Sequence, residues 1–214
     1  MERDYRAPAA RALYCSVEDE AYRPTGADKR WDLSYLGTYS PDRQPTLERL
    51  LIESAKALPH RRFVVAGPQY PDDIAWPANV DRIEHCPPAD HSAFYSASRF
   101  TLNVTRADMV RAGWSPSVRL FEAGACGTPV ISDRWDGLDT LLVPEREILL
   151  PDGPDAVLAI LRGRPEADRR SLGAAARAAI LAQHTAAARA EELERFPGAA
   201  GALSGSARSA APDP

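Results

Sequence analysis

Short strands that are apolar on both sides, alternating with one-faced helical stretches, predict an α/β fold: a doubly wound parallel sheet covered by helices on both faces. The plainest strand is Phe63-Val64-Val65-Ala66, stopped by Gly67-Pro68; an uninterrupted apolar run belongs between two layers. Before it, Leu47, Leu50, Leu51, Ala55 and Leu58 fall on one helical face. After it, Ser115 to Asp133 reads as a capped helix feeding a buried strand: Ser115 as the cap, Pro116 at the first helical position, Val118, Phe121 and Ala125 on one face, Gly127 as the turn.

The other elements follow in order. Ala12 to Val17 has strand-like composition but opens into an acidic run and Arg23-Pro24-Thr25-Gly26, so residues 1–30 read as the remnant of an interdomain linker. Leu33 to Leu36 is a strand ending at Gly37-Thr38. The loop Tyr39 to Pro45 then leads into the leucine helix, which runs to about Leu58. Asn79 to His85 is a weaker third strand, Pro88 to Ser98 a short helix with Phe94 and Tyr95, and Phe100 to Val104 a fourth strand. Thr128 to Ser132 is the fifth, Gly137 to Leu142 a short helix or turn, and Glu147 to Leu150 a sixth strand. The sheet domain is placed at residues 31–163. Helices over Glu166 to Gln183 and Thr185 to Arg195, with Thr185 as a new cap, fill 164–196. From residue 197 to 214 the composition falls to Gly, Ala, Ser and Pro, the signature of a disordered tail.

Composition excludes several classes. The 214 residues are 44% hydrophobic, enough for one core, and no run approaches the ~18 apolar residues of a membrane span. Arg and Asp interrupt the first sixteen residues where a signal peptide needs an apolar core, so a cytoplasmic protein is expected. Cys15, Cys86 and Cys126 are odd in number and widely spaced, which argues against a disulfide framework and a zinc ribbon. His60, His85, His91 and His184 lack the spacing of a metal site. A net charge of −4 argues against a general nucleic-acid surface.

Ligands of doubly wound sheets bind beyond the carboxyl ends of the strands, which selects the loops after Leu36, Ala66, Val104 and Ser132. The first carries Gly37, Thr38 and Arg43: glycine permits close backbone approach, and arginine can grip a phosphate with a forked contact. The loop after Val104 carries Arg106. No Gly-x-Gly-x-x-Gly or Walker-type loop is present, which removes the main support for a nicotinamide or P-loop enzyme. The helix start at Ser115, Ser117 and Val118 offers free amides to an anion. Glu122, the sole acid between Val118 and Ser132, lies further along the same helix. It can accept hydrogen bonds from both hydroxyls of a ribose whose phosphates sit at the helix start.

Glu122-Ala-Gly-Ala-Cys-Gly-Thr-Pro-Val-Ile resembles the signature of retaining glycosyltransferases with the two-domain GT-B fold. The stretches Gly37 to Pro45, Gly113 to Arg119 and Asp136-Gly137-Leu138 look more closely like the CgeB-like branch, named for a spore maturation protein. The resemblance covers about Leu13 to Arg195. It implies a Rossmann-like C-terminal half of a GT-B fold, which binds a nucleotide diphosphate sugar and transfers its glycosyl unit without a metal or resident cofactor. Glu122 would then hold the ribose, the Ser117 and Val118 amides the pyrophosphate, Arg43 a phosphate oxygen as the catalytic cation, and the loop from His85 to Pro87 the base. Trp114 stands where many relatives carry a first glutamate that touches the sugar. The acceptor-binding half that GT-B enzymes place before the linker has no counterpart here, so a separate acceptor domain or subunit is implied. Two rivals remain at this point. One is a non-catalytic nucleotide-binding or assembly module derived from such an enzyme. The other, a receiver-like signalling domain, needs an acidic cluster and a lysine that Ser132-Asp133-Arg134 does not supply.

Overall fold

A computed structural model describes residues 10–196. Five strands form one all-parallel sheet: β1 (Trp31–Leu36), β2 (Phe63–Ala66), β3 (Val80–Ile83), β4 (Ser98–Asn103) and β5 (Val130–Ser132). The spatial order is β3-β2-β1-β4-β5. The chain winds outward from β1 in one direction and from β4 in the other, which puts a topological switch point between those two strands. Leu36 stands beside Ala66, Ala66 beside Ile83, and Tyr35 beside Leu102, so the carboxyl ends are level.

Helix α1 joins β1 to β2 in three consecutive segments, Gln44–Leu47, a π turn Glu48–Ile52, and Glu53–Ala57. After β3, a 3-10 turn Pro88–Asp90 enters α2 (His91–Ser96). Between β4 and β5 lie α3 (Ala107–Ala112) and α4 (Val118–Ala125). Then come α5 (Pro154–Gly163), α6 (Glu166–Gln183) and α7 (Ala186–Glu194).

The alternation of β2 sorts the core into two layers. Phe63 and Val65 join the leucines of α1 and Val157 and Leu161 of α5 on one face. Val64 and Ala66 join Phe94 and Tyr95 of α2 and Leu120, Phe121 and Ala125 of α4 on the other. Helix α6 reaches both layers, with Leu172 in the first and Ile180 in the second. It lies close against α4: a β-carbon on Gly124 would come within 2.8 Å of Ile180 Cγ1.

Three expectations are corrected. Glu147 to Leu150 is not a sixth strand; it meets β5 through a single bridge, Ile131 to Leu149, although Ile148 and Leu149 are fully buried. Ala12 to Val17 likewise supplies one bridge, from Val17 to Thr185. Helix α4 starts at Val118 with Ser117, not Ser115, as its cap, and the Ser117 hydroxyl accepts from the Arg119 amide at 3.4 Å. The delay has a cause. Gly113 and Trp114 both take left-handed angles, and the Trp114 amide donates to the Asp136 carbonyl at 2.7 Å, which holds the approach off the helix axis. Pro116 in addition disfavours helical geometry at Ser115. Val118, expected in the core, is 38% exposed. The tail expected over 197–214 lies outside the described residues.

Candidate functional site: a cleft at the carboxyl ends of the strands

The loops that follow β1, β2 and β3 are tied to one another by their own backbones. Gly37 donates to the Ala66 carbonyl at 2.8 Å, Tyr39 to Pro68 at 3.0 Å, and Gly67 to Ile83 at 2.8 Å. The contact between the first two loops requires glycine: Gly67 has φ +138°, and a β-carbon there would sit 2.1 Å from the Gly37 oxygen. The Tyr70 hydroxyl adds a bond to the same Gly37 oxygen at 3.1 Å. These loops form one wall of a cleft of about 320 Å³, and α2 and α4 form the other. Leu36, Gly37, Thr38, Gly67, Pro68, His85, Cys86, Pro88, His91, Val118, Arg119 and Glu122 line it.

Glu122 is 8% exposed and faces this cleft. The Tyr95 hydroxyl donates to its Oε2 at 3.2 Å. Burial, followed by the charge of Glu122, pushes the Tyr95 phenol well above its usual range, so it remains a donor. The Tyr22 hydroxyl is a second hydrogen-bond neighbour of the carboxylate, which still borders the cleft. His91 lies beside the pair, with Nδ1 3.8 Å from Oε2. Its Nε2 stands 3.2 Å from the Cys86 carbonyl, which can only accept, so Nε2 carries the hydrogen. Its Nδ1 stands 3.2 Å from the Tyr22 hydroxyl, which also reaches the Glu122 carboxylate. One histidine thus stands between the segment before β1, the loop after β3, and the carboxylate of Glu122.

Four residues separate Val118 from Glu122, about 6 Å along a helix axis. The Val118 amide has no partner among the described residues, and the helix start adds partial positive charge. Arg119 lines the cleft in the same first turn. A cation is disfavoured there by the helix dipole, so its position signals anion handling. That signal was present in the sequence one residue beyond the Ser117–Val118 pair, and it was passed over.

The remaining candidates sit differently. Gly37 and Thr38 lie on the cleft wall, and His85 lies at its rim as an exposed residue. Arg43 is 6% exposed and stands behind that wall, donating through a terminal nitrogen to the Thr38 carbonyl, with Nε buried and unpartnered. Arg106 is exposed and reaches the Ser40 hydroxyl at 3.4 Å. Ser115 and Ser117 do not line the cleft; Ser117 serves as the helix cap. Arg43, Arg119 and Arg106 all act on the buried Tyr35 hydroxyl, whose pKa burial raises and these guanidiniums partly restore. Three guanidiniums therefore converge near the end of β1, with the Asp133 carboxylate opposing them. Among the described residues no group of three or more His, Cys, Asp or Glu side chains is placed to hold a metal ion, and no helix is long and apolar enough to cross a membrane.

A family profile described as "Glycosyl transferase-like" matches residues 43–195. The chain belongs to this glycosyl transferase-like family. No curated protein matches it by sequence. Among solved structures, sucrose-phosphate synthase from Thermosynechococcus elongatus aligns over 94% of this chain and 56% of its own, at 18% identity and a TM-score of 0.71. AviGT4, a glycosyltransferase involved in avilamycin A biosynthesis, aligns over 93% and 60% at 22% identity and 0.64. Anabaena Alr3699/HepE, solved in complex with UDP-glucose, aligns over 91% and 57% at 12% identity and 0.68. At these identities the likeness is one of fold: a Rossmann-like half of the GT-B architecture with C-terminal helices. This glycosyl transferase-like chain spans a little over half the length of each of those proteins.

Proposed function

We propose that the chain is the donor-binding half of a CgeB-like glycosyltransferase, taking a nucleotide diphosphate sugar into the cleft at the ends of β1, β2 and β3. One observation carries this reading: the Glu122 carboxylate and the Val118 amide, which has no partner among the described residues, open on one cleft a single helical turn apart. That spacing suits a ribose held by the carboxylate and a pyrophosphate held at the helix start. The base would lie against the loop from His85 to Pro88, where backbone groups and the His91 ring bound the cleft. HepE, in its complex with UDP-glucose, supports the same ligand class for this fold.

In the reaction the bond from the sugar's anomeric carbon to the β-phosphate oxygen breaks, and its electron pair leaves with the nucleoside diphosphate. An acceptor hydroxyl forms the new glycosidic bond and gives up its proton. The chain's own part is to stabilise the charge growing on the leaving phosphate, through the Val118 amide and the Arg119 guanidinium. Arg43 acts from behind Thr38, holding the loop and adding field. The acceptor would come from a separate domain or subunit joined through the segment before residue 31. The reading assigns no resident cofactor and a cytoplasmic setting.

Calorimetric titration with nucleoside diphosphates tests it. Glu122→Ala should weaken binding by about 1–3 kcal/mol, the cost of leaving ligand hydroxyls unpaired in a desolvated site. An affinity equal to wild type would remove Glu122 from the site.

A further inference from the structure

A second recess lies at the other end of the sheet from the cleft. It sits where β1, β4 and β5 begin, and Lys29, Gly127, Arg169, Arg170, Ala174 and Arg177 are among the residues that line its volume of about 350 Å³. Four of these side chains are cations in a protein whose net charge is −4. Their partners are few. Arg169 is 4% exposed and is satisfied by Glu166, at 2.8 and 2.6 Å. Arg177 gives Nε to the Ala125 carbonyl at 3.0 Å, which closes the last turn of α4, and its terminal nitrogens have no partner among the described residues. Lys29 bends its ammonium onto the Ser96 and Ser98 carbonyls, at 2.6 and 3.0 Å, and among the described residues it has no ion-pair partner. Arg170 makes no hydrogen bond or ion pair among the described residues.

Capping of α2 and α4 explains why Lys29 and Arg177 approach two helix ends. It does not explain why Arg170 joins them, or why, among the described residues, Glu166 is the one carboxylate that ion-pairs with any of the four cations. Lys29 and Arg170 are exposed and Arg177 is half-buried; like charges gathered in one recess repel without a counter-ion, and arginine forks match a tetrahedral oxyanion. We propose that this recess is a second anion site, separate from the donor cleft, which takes a phosphate group through Arg170, the terminal nitrogens of Arg177, and Lys29. The state of Lys29 fits: burial, and next the charge of Arg169, lower its pKa to about 8, the behaviour of a cation that lacks its anion.

The test is a titration of the full chain with inorganic phosphate, followed by amide chemical shifts and run against chloride at matched ionic strength. Saturable, phosphate-specific shifts are expected at Gly26, Ala27, Gly127 and Ala174. Arg170→Glu combined with Arg177→Gln should weaken that response by about tenfold or more, the loss of one charge-assisted hydrogen bond. The same variant should leave shifts at Gly37, Thr38 and Val118 unchanged, which separates this site from the donor cleft. Arg170→Glu alone touches no internal bond, so it reads the site even where the double variant folds poorly. A parallel titration with glycerol phosphate tells a free phosphate from an organic phosphomonoester by which of the two binds more tightly. Equal shifts with chloride, absent shifts at the recess, or an unchanged response in Arg170→Glu would overturn the proposal.

Discussion

Glu122 and Arg119 lie three residues apart on α4, and they do opposite things to the same cleft. The carboxylate is held by the Tyr95 and Tyr22 hydroxyls and borders the cleft as an acceptor. The guanidinium stands at the helix start, where it can only be repaid by an anion. Arg119→Ala should therefore lower affinity for a nucleoside diphosphate by about tenfold to a hundredfold, the range for a charge-assisted contact, while affinity for the bare nucleoside stays near wild type. Competition binding with the two ligands makes the comparison. Equal losses for both would mean that Arg119 shapes the cleft without meeting the phosphates. At this scale the sequence was informative about type and less so about place. Glu122 stood out as an acid in an apolar stretch, and it does face the cleft. Arg43 carried the expected chemistry but is turned in behind Thr38, an outcome set by tertiary packing that no spacing rule contains.

Elements were legible wherever burial is two-sided. β2 is apolar at all four positions because helices cover both faces, and so it declared itself. Helix α3 carries no buried residue and hence no apolar stripe for a periodicity argument to find. Glu147 to Leu150 has the burial of a strand, yet it meets β5 at one bridge only, because the chain turns through Pro144 and Glu145, the latter left-handed at φ 62°. Two predictions belong here. Gly67→Ala forces a left-handed φ on a residue with a β-carbon, which is aimed at the Gly37 oxygen. It should destabilise the fold by about 2–4 kcal/mol, seen as a lower urea midpoint. The second concerns the junction of α6 and α7. His184 is 4% exposed, packs 4.8 Å from Phe121, and is bonded to Arg189; burial, and next Arg189, lower its pKa to about 4 from 6.5. Above pH ~6.5 neither the folded nor the unfolded state binds a proton there. As pH falls from there towards 4, the unfolded state takes up a proton that the folded state refuses. Stability should fall across that window by up to roughly 3 kcal/mol. Urea midpoints measured through it should show the slope in wild type and its loss in His184→Gln.

For the whole molecule, the order β3-β2-β1-β4-β5 puts the switch point beside Leu36 and Gly37, and the cleft opens there. The two ends of the sheet have different characters. The carboxyl end gathers a carboxylate, a helix start and three arginines around β1, and the amino end gathers the basic recess. The segment before β1 connects to both: Tyr22 bonds to His91 at the cleft wall, and Lys29 lines the recess. The sequence alone places the sheet and the loops at its carboxyl edge, because strand pattern and winding rules are local. The convergence of residues 22, 91, 95 and 122 arises from folding and has no repeat or motif to announce it. The central claim is that this carboxyl-end cleft holds a nucleoside diphosphate. Thermal unfolding with uridine, guanosine, thymidine and adenosine diphosphates measures it most directly. At least one should raise the midpoint in a saturable way in wild type, and lose that effect in Glu122→Ala. No stabilisation of the wild-type chain by any of the four would contradict the account.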